Sequence, residues 1–193
     1  MEREAFLAKM VPKNTKKVLD IGCRSNIYKD YNTTTVDVGE GADIIQDLNK
    51  KQKLPFKSNS FDFVVLNQIL EHIGDFDELI KESVRVSKKY LLIGFPNEIT
   101  YGQRIKILFG KPAYSGYLKY GHKHYFTINK IEEVINHFFK SYKYKYYWFL
   151  CTGTKFIPRQ IQKILLKFSK SLFAGQVYYI LDKEDFNKIR KNN

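Results

Sequence analysis

Apolar positions run along this chain in two modes: short continuous runs in the first half and helical spacing in much of the second. Lys17-Val18-Leu19-Asp20-Ile21-Gly22 is a short apolar run closing on a glycine, which predicts a buried strand with a turn behind it. Residues 33–38 are rich in β-branched side chains and reach an acid, Asp37, so they predict a second strand, and residues 42–48 a third. Residues 61–66, Phe-Asp-Phe-Val-Val-Leu, form a near-continuous apolar run of the kind buried on both faces of a parallel sheet. Residues 75–86 then switch to helical spacing through Phe76, Leu79, Ile80, Ser83 and Val86. A fifth strand over 90–95 is stopped by Pro96. Strands alternating with helical or loop segments imply an α/β protein with a parallel sheet and right-handed crossovers.

The flanks are less regular. Residues 3–10 predict a short helix ended by Pro12, and 103–109 another beyond Pro96. Residues 129–139 predict a helix with Ile131, Val134, Ile135 and Phe138 on one face, followed by a strand over 142–150. Over 157–172, Ile157, Ile161, Ile164, Leu165, Phe168 and Leu172 share one helical face, while Arg159, Lys163, Lys167 and Lys170 occupy the other. Residues 176–181 predict a last strand, and the polar tail after Asp185 is expected to fray.

At 193 residues the chain fits one domain, 1–193, able to bury a core without disulfides or metal. Cys23 and Cys151 match no metal or redox spacing, which favours a reducing, cytoplasmic setting. The first ten residues carry Glu2 and Glu4 and no apolar h-region, so no secretory signal is expected there. No run approaches the roughly 18 apolar residues of a membrane span, so a soluble or peripheral protein is expected. Charge divides the chain more sharply than composition does. Residues 1–100 hold 15 Lys/Arg and 15 Asp/Glu, whereas 101–193 hold 18 against 5, which is the whole net charge of +13. Of the 30 aromatic residues, 21 lie in that second part. A neutral half and a basic, aromatic half facing something anionic is the functional reading; a solvated basic face without a partner is the alternative.

The ends of the predicted strands carry the candidate chemistry. A strand ending in Asp20-Ile21-Gly22 lets the backbone turn sharply and approach a ligand at the carboxyl edge of the sheet. Asp37, closing the next strand, is placed to accept hydrogen bonds from ribose hydroxyls. Asp47-Leu48 pairs a carboxylate with an apolar neighbour, suited to an adenine amino group and ring face. Each acid is also plausible as a turn or cap residue.

These positions belong to a longer pattern. Val18-Leu19-Asp20-Ile21-Gly22-Cys23, Leu54-Pro55-Phe56 followed by Ser60-Phe61-Asp62-Phe63-Val64-Val65, Leu70-Glu71-His72-Ile73 and Glu82-Ser83-Val84-Arg85-Val86 resemble the class I S-adenosylmethionine-dependent methyltransferases, in their small-molecule branch. The likeness covers roughly residues 16–97 and continues more weakly through Gly121-His122-Lys123-His124-Tyr125-Phe126-Thr127. It implies a Rossmann-like seven-stranded sheet, mostly parallel with the last strand antiparallel and helices on both faces. The cofactor-binding half would be 1–100 and the substrate-facing half 101–193. It implies S-adenosyl-L-methionine as cofactor, with Asp20 and Gly22 at the methionine end, Asp37 on the ribose, and Asp47 and Leu48 on adenine. Asn67 and Gln68 would flank the methionine moiety. Glu71 and His72 read equally as caps of a following helix, and Pro55-Phe56 as a shaped loop. The family's glycine loop, D-x-G-x-G-x-G, is here Asp-Ile-Gly-Cys-Arg-Ser-Asn, which keeps one glycine of three. Asn26 can still adopt a left-handed conformation. Arg24 lacks a glycine's freedom but offers a guanidinium to the cofactor carboxylate.

Methyl transfer from a sulfonium requires mainly alignment and exclusion of water. A hydroxyl acceptor also needs a base titrating near neutrality. Of His72, His122, His124 and His137, the loop pair His122 and His124 are the candidates, with hydrogen-bonding roles as the alternative. His137 reads as structural, and Tyr120 and Tyr125 as packing or positioning residues. The basic second half suits an anionic small molecule, a glycan or a lipid-linked acceptor. The amphipathic stretch 157–173 fits either docking at a membrane surface or ordinary core packing. RNA is the less favoured partner, because no RNA-binding module is recognisable and lysines dominate over arginines. A non-catalytic binding protein with a degenerate pocket is the alternative from another class.

Overall fold

The computed structural model describes residues 3–23, 27–111, 121–149 and 157–186. One seven-stranded sheet runs through it, comprising β1 (Lys17–Ile21), β2 (Asn32–Asp37), β3 (Ile44–Ile45), β4 (Phe61–Asn67), β5 (Ser87–Pro96), β6 (Tyr144–Phe149) and β7 (Ala174–Asp182). Its order is β3-β2-β1-β4-β5-β7-β6. β1 to β5 are mutually parallel, and β7 runs antiparallel to both β5 and β6. The Rossmann-like sheet expected from the motifs is therefore present, with its last strand inserted between β5 and β6.

Alternation along the strands makes two cores. Leu19, Ile21, Val64, Leu66, Leu91, Ile93, Val177 and Tyr179 face one side. There they pack against α2 (Asp77–Val86) through Leu79, Ile80 and Val84, and against α4 (Ile128–Phe138) through Ile131, Val134, Ile135 and Phe138. Val18, Phe63, Val65, Leu92, Tyr178 and Ile180 face the other side, where Leu7 of α1 (Arg3–Ala8), Met10 and Tyr28 cover them. The aromatic skew of the second half is partly explained here. Phe6 packs on Trp148 at 4.7 Å and on Tyr146 and Tyr178 at the open edge of the sheet. The Lys145 ammonium lies among the rings of Tyr142, Tyr147 and Tyr179 and meets Glu132.

Two motif segments are structural. Asp62 of the Ser-Phe-Asp triplet accepts from the backbone of Lys16 and Lys17 and from Lys88, at the amino edge of the sheet. Arg85 binds both carboxylate oxygens of Glu82 at 2.7 Å and donates to the carbonyls of Leu54 and Phe56, while Glu82 accepts from the Leu54 amide. That clamp fixes the Leu-Pro-Phe loop against α2, and Phe56 meets Phe61 edge-on at 4.8 Å.

Three elements depart from the expected pattern. The third strand shrinks from 42–48 to Ile44–Ile45. Asp43 turns back to accept from the Thr35 amide and hydroxyl, Gln46 gives its amide to the Asp37 carbonyl but its side chain to the Lys51 carbonyl, and Asp47 serves a turn. The helix expected over 157–172 breaks into α5 (Arg159–Phe168) and α6 (Lys170–Phe173). Ser169 between them is extended, and its hydroxyl accepts from the Leu172 amide as a cap. α3 (Tyr101–Leu108) and α5 contain no fully buried residue; Leu166 of α5 packs half-buried against the main core, while Ile161, Ile164 and Phe168 are exposed. Among the described residues no helix is long and apolar enough to cross a membrane.

Candidate functional site

The register of the parallel strands brings the predicted residues to one edge. Ile21 pairs with both Val36 and Leu66, and Asn67 pairs with Gly94, so the chain leaves β1, β2, β4 and β5 at the same level. Above that edge lie two cavities, of about 300 and 760 Å³, which share Gly22, Gln68 and His72 in their walls. Together they form one cleft with two chambers.

Gly22 closes β1 with φ +77°, and its amide donates to the Val36 carbonyl at 2.8 Å. A β-carbon there would lie 2.7 Å from the Ile69 side chain, so both the backbone angle and the packing demand glycine. Gln68, at the end of β4, has φ +55°, a strained left-handed conformation for a non-glycine residue. The reversal turns the chain into the helical turn Leu70–His72 and sets Gln68, Glu71 and His72 along the cleft. Gly94 lies beneath Asn67, where a β-carbon would meet Asn67 Oδ1 and the Tyr178 ring at 2.8 Å.

Of the predicted set, the larger chamber is lined by Asp37, Asp47 and Leu48. Asp37 Oδ1 accepts from the Gly39 amide at 3.0 Å and Asp47 Oδ1 from the Asn49 amide at 3.0 Å, so each acid also supports its own turn. The smaller chamber is lined by Asp20, Asn67 and Gln68. Burial, with a contribution from Asp37, pushes the Asp20 carboxyl up to about 7. Asn67 Oδ1 and Gln68 Nε2 are buried and have no hydrogen-bond partner among the described residues, as expected of polar atoms that await a ligand. Arg24 and Asn26 lie outside the described residues, as do Tyr120, Cys151 and the tail after Phe186.

The two loop histidines separate. His122 lines the smaller chamber and meets Glu98 Oε1 through Nδ1 at 2.5 Å, with both side chains buried. Burial pushes Glu98 up to about 7. His124 instead meets the Gly74 carbonyl through Nε2 at 2.8 Å, stands edge-on to Phe76, and lines neither chamber.

Sequence reasoning missed several lining residues. Glu98, Thr100 and Gln103 follow β5, and Arg3 reaches the chamber from α1. No periodic pattern marks Asn97-Glu98-Ile99-Thr100 after Pro96, and nothing in the amino-terminal segment points to Arg3. Glu71 and His72 stand in the chamber wall rather than capping a longer helix.

A β3-β2-β1-β4-β5-β7-β6 sheet with a two-chambered cleft at the carboxyl edge of its parallel strands defines a class I methyltransferase fold. The chain belongs to the family described as methionine biosynthesis protein MetW, whose model matches residues 3–138. A search of the curated proteins found no match. Among solved structures, the chain is similar to an S-adenosylmethionine-dependent methyltransferase from Archaeoglobus fulgidus, at 18% identity and TM-score 0.60 over 93% of this chain and 92% of that one. It is also similar to a Thermotoga maritima protein described as a possible histamine N-methyltransferase, at 15% identity and TM-score 0.65, covering 93% and 87%. A Methanosarcina mazei methyltransferase aligns at 19% identity and TM-score 0.56, covering 92% and 96%. At these identities the likeness establishes the fold.

Proposed function

We propose that this chain is an S-adenosylmethionine-dependent methyltransferase that methylates an oxygen of an anionic small-molecule, glycan or lipid-linked acceptor. The observation that carries the reading is the divided cleft, with an acid and apolar surface in one chamber and unsatisfied amides in the other. Asp37 would hold the ribose hydroxyls, and Asp47 with Leu48 the adenine. Asn67 and Gln68 would hold the methionine portion beside Asp20, with Arg3 as the described cation of that chamber. The cofactor, when bound, supplies a methyl group on a sulfonium, already activated for displacement. The protein's task is then to align the acceptor oxygen and exclude water. His122, held by Glu98, is the residue assigned to activating the acceptor, and Glu98 adds a second proton-binding group beside it. His124 carries no part of this reading.

Calorimetry with S-adenosylhomocysteine tests the cofactor half. Saturable binding is expected, with Asp37→Ala abolishing it; no heat at millimolar ligand would remove the enzyme reading and leave a binding protein. A second observation favours presentation of the acceptor at an anionic lipid surface. Leu108 at the end of α3, Phe109 just after it, and Ile164 and Phe168 of α5 are largely exposed, in the segments that carry Lys106, Lys163 and Lys167. Tyr101 stacks on Phe173 and Arg104 donates to Ser171, joining α3 to the α5–α6 pair next to the smaller chamber.

A further inference from the structure

The smaller chamber gathers more carboxyl and imidazole groups than cofactor binding requires. Glu71 and His72 enter it from the turn after β4, Glu98 from beyond β5, and His122 from the segment before α4. Backbone contacts fix this meeting. The amides of Lys123 and His124 both donate to the Glu71 carbonyl, at 2.7 and 3.3 Å. The Asn49 side chain donates to the His72 carbonyl and accepts from the Gly74 amide and the Lys123 ammonium. The segment carrying His122 is thereby tied to the turn carrying His72, and their rings meet edge-on with centroids 4.7 Å apart.

We propose that Glu71, His72 and His122 form a binding site for a divalent first-row transition cation, whose open positions take the acceptor's oxygen atoms. One ligating atom from each of the three residues lies within 4.8 Å of the others. Ligands about 2.1 Å from a tetrahedral ion sit about 3.4 Å apart, so side-chain adjustments of about an ångström close the set. Two imidazoles and one carboxylate suit a borderline cation such as zinc, cobalt or iron, and three protein ligands leave room for water or substrate. Glu98 on Nδ1 of His122 supplies the carboxylate–histidine support that orients a metal-binding imidazole through its other nitrogen. The charge balance agrees. Asp20, Glu71 and Glu98 are all at least 96% buried around one cavity, an acidic lining complementary to a dication. In this arrangement His122 is a ligand in place of the proton-accepting role given above: the cation lowers the pKa of the acceptor hydroxyl, whose proton passes to solvent, and fixes the oxygen toward the methyl group. The acceptor part of this proposal rests on the methyltransferase reading; the cation part does not.

The test is a titration of the untagged full chain, stripped with chelator, with Co²⁺ followed by its visible absorption band. One equivalent should saturate the band, and Zn²⁺ should displace it. His72→Ala and His122→Ala should each weaken binding at least tenfold, Glu98→Gln about tenfold, and His137→Ala not at all. Circular dichroism identifies any variant that fails to fold, and Glu71→Gln, which leaves the backbone contacts in place, provides an independent ligand deletion. No saturable band below millimolar Co²⁺ overturns the proposal, as does unchanged affinity in a folded Glu71→Gln or His72→Ala/His122→Ala protein. Calorimetry with S-adenosylhomocysteine on the same preparation separates the two readings. Nucleoside binding without Co²⁺ binding overturns the cation site alone, and Co²⁺ binding without nucleoside binding removes the methyltransferase reading alone.

Discussion

Two acids at opposite ends of the sheet, Asp20 buried and Asp62 half-buried, are shifted in opposite directions, and each leaves a measurable signature. Asp20 is pushed up to about 7 by burial and then by Asp37, so the folded protein holds its proton where the unfolded chain has lost it. Its contribution to stability therefore falls as pH rises from about 4 to 7 and is level above that. Asp20→Asn should flatten that portion of a pH–stability curve and raise the denaturation midpoint at pH 8; chemical denaturation across pH 4–8 checks this. Asp62 is held down to about 2, chiefly by its hydrogen bond from Lys88, against the cost of burial and with help from the Lys17 and Lys16 amides. Its stabilisation is present above about 4 and is lost as pH falls through 2. Asp62→Asn should lower stability at pH 7 and converge on the parent as pH falls to about 2, in the same denaturation assay extended to acid. Gln68 adds a third residue-scale trade. Replacing it with Gly should relieve about 1 kcal/mol of left-handed backbone strain while weakening S-adenosylhomocysteine binding, because Nε2 is lost from the cleft. Equal affinity in that variant would remove Gln68 from the pocket.

At the scale of elements, what was legible in the sequence is what strict periodicity encodes. β4 reads as Phe61–Asn67 against an expected 61–66, because both faces of a central parallel strand are buried and its apolar run has no alternative. The motif residues of β1, β2 and β4 fall on one edge for the same reason, since parallel register carries Ile21, Val36 and Leu66 to one level. The third strand was overread because Asp43, Gln46 and Asp47 satisfy turns through their side chains, a competition that apolar patterning does not weigh. The break at Ser169 was missed for a related reason, as an i, i+3, i+4 stripe runs through a residue whose hydroxyl caps the next turn. Glu82 and Arg85 show the reverse case, where a family-like motif turns out to hold a loop rather than a ligand. Arg85→Met should leave the Leu54 and Phe56 carbonyls and a buried carboxylate without their partner. A loss of roughly 3 kcal/mol is expected, of the order seen when one member of a buried ion pair is removed. Denaturant unfolding measures it, and the accompanying change in S-adenosylhomocysteine affinity should be slight.

For the whole molecule, the question is what the uneven charge accomplishes. All of the net +13 falls in residues 101–193, while the cleft itself is walled by acids and amides drawn largely from the first hundred residues. Part of the aromatic excess is absorbed by packing around β6 and β7, and Lys106 of α3 with Lys163 and Lys167 of α5 are among the lysines that carry the remaining charge. Those lysines share their helices with Leu108 and Phe168, about 80% exposed, an arrangement that costs solubility unless something apolar meets it. An anionic bilayer would satisfy both features at once, with lysines meeting the headgroups and the apolar side chains entering the acyl boundary, as proposed above. Nucleic acid would use the charge and leave Leu108, Ile164 and Phe168 unexplained. The protein should therefore sediment with vesicles containing anionic phospholipid and not with neutral ones. A Leu108→Glu/Phe168→Glu variant should lose that retention while S-adenosylhomocysteine binding, measured by calorimetry, stays within twofold of the parent. Retention by RNA with none on anionic vesicles would reverse the assignment, and the acceptor would then be sought among nucleic acids.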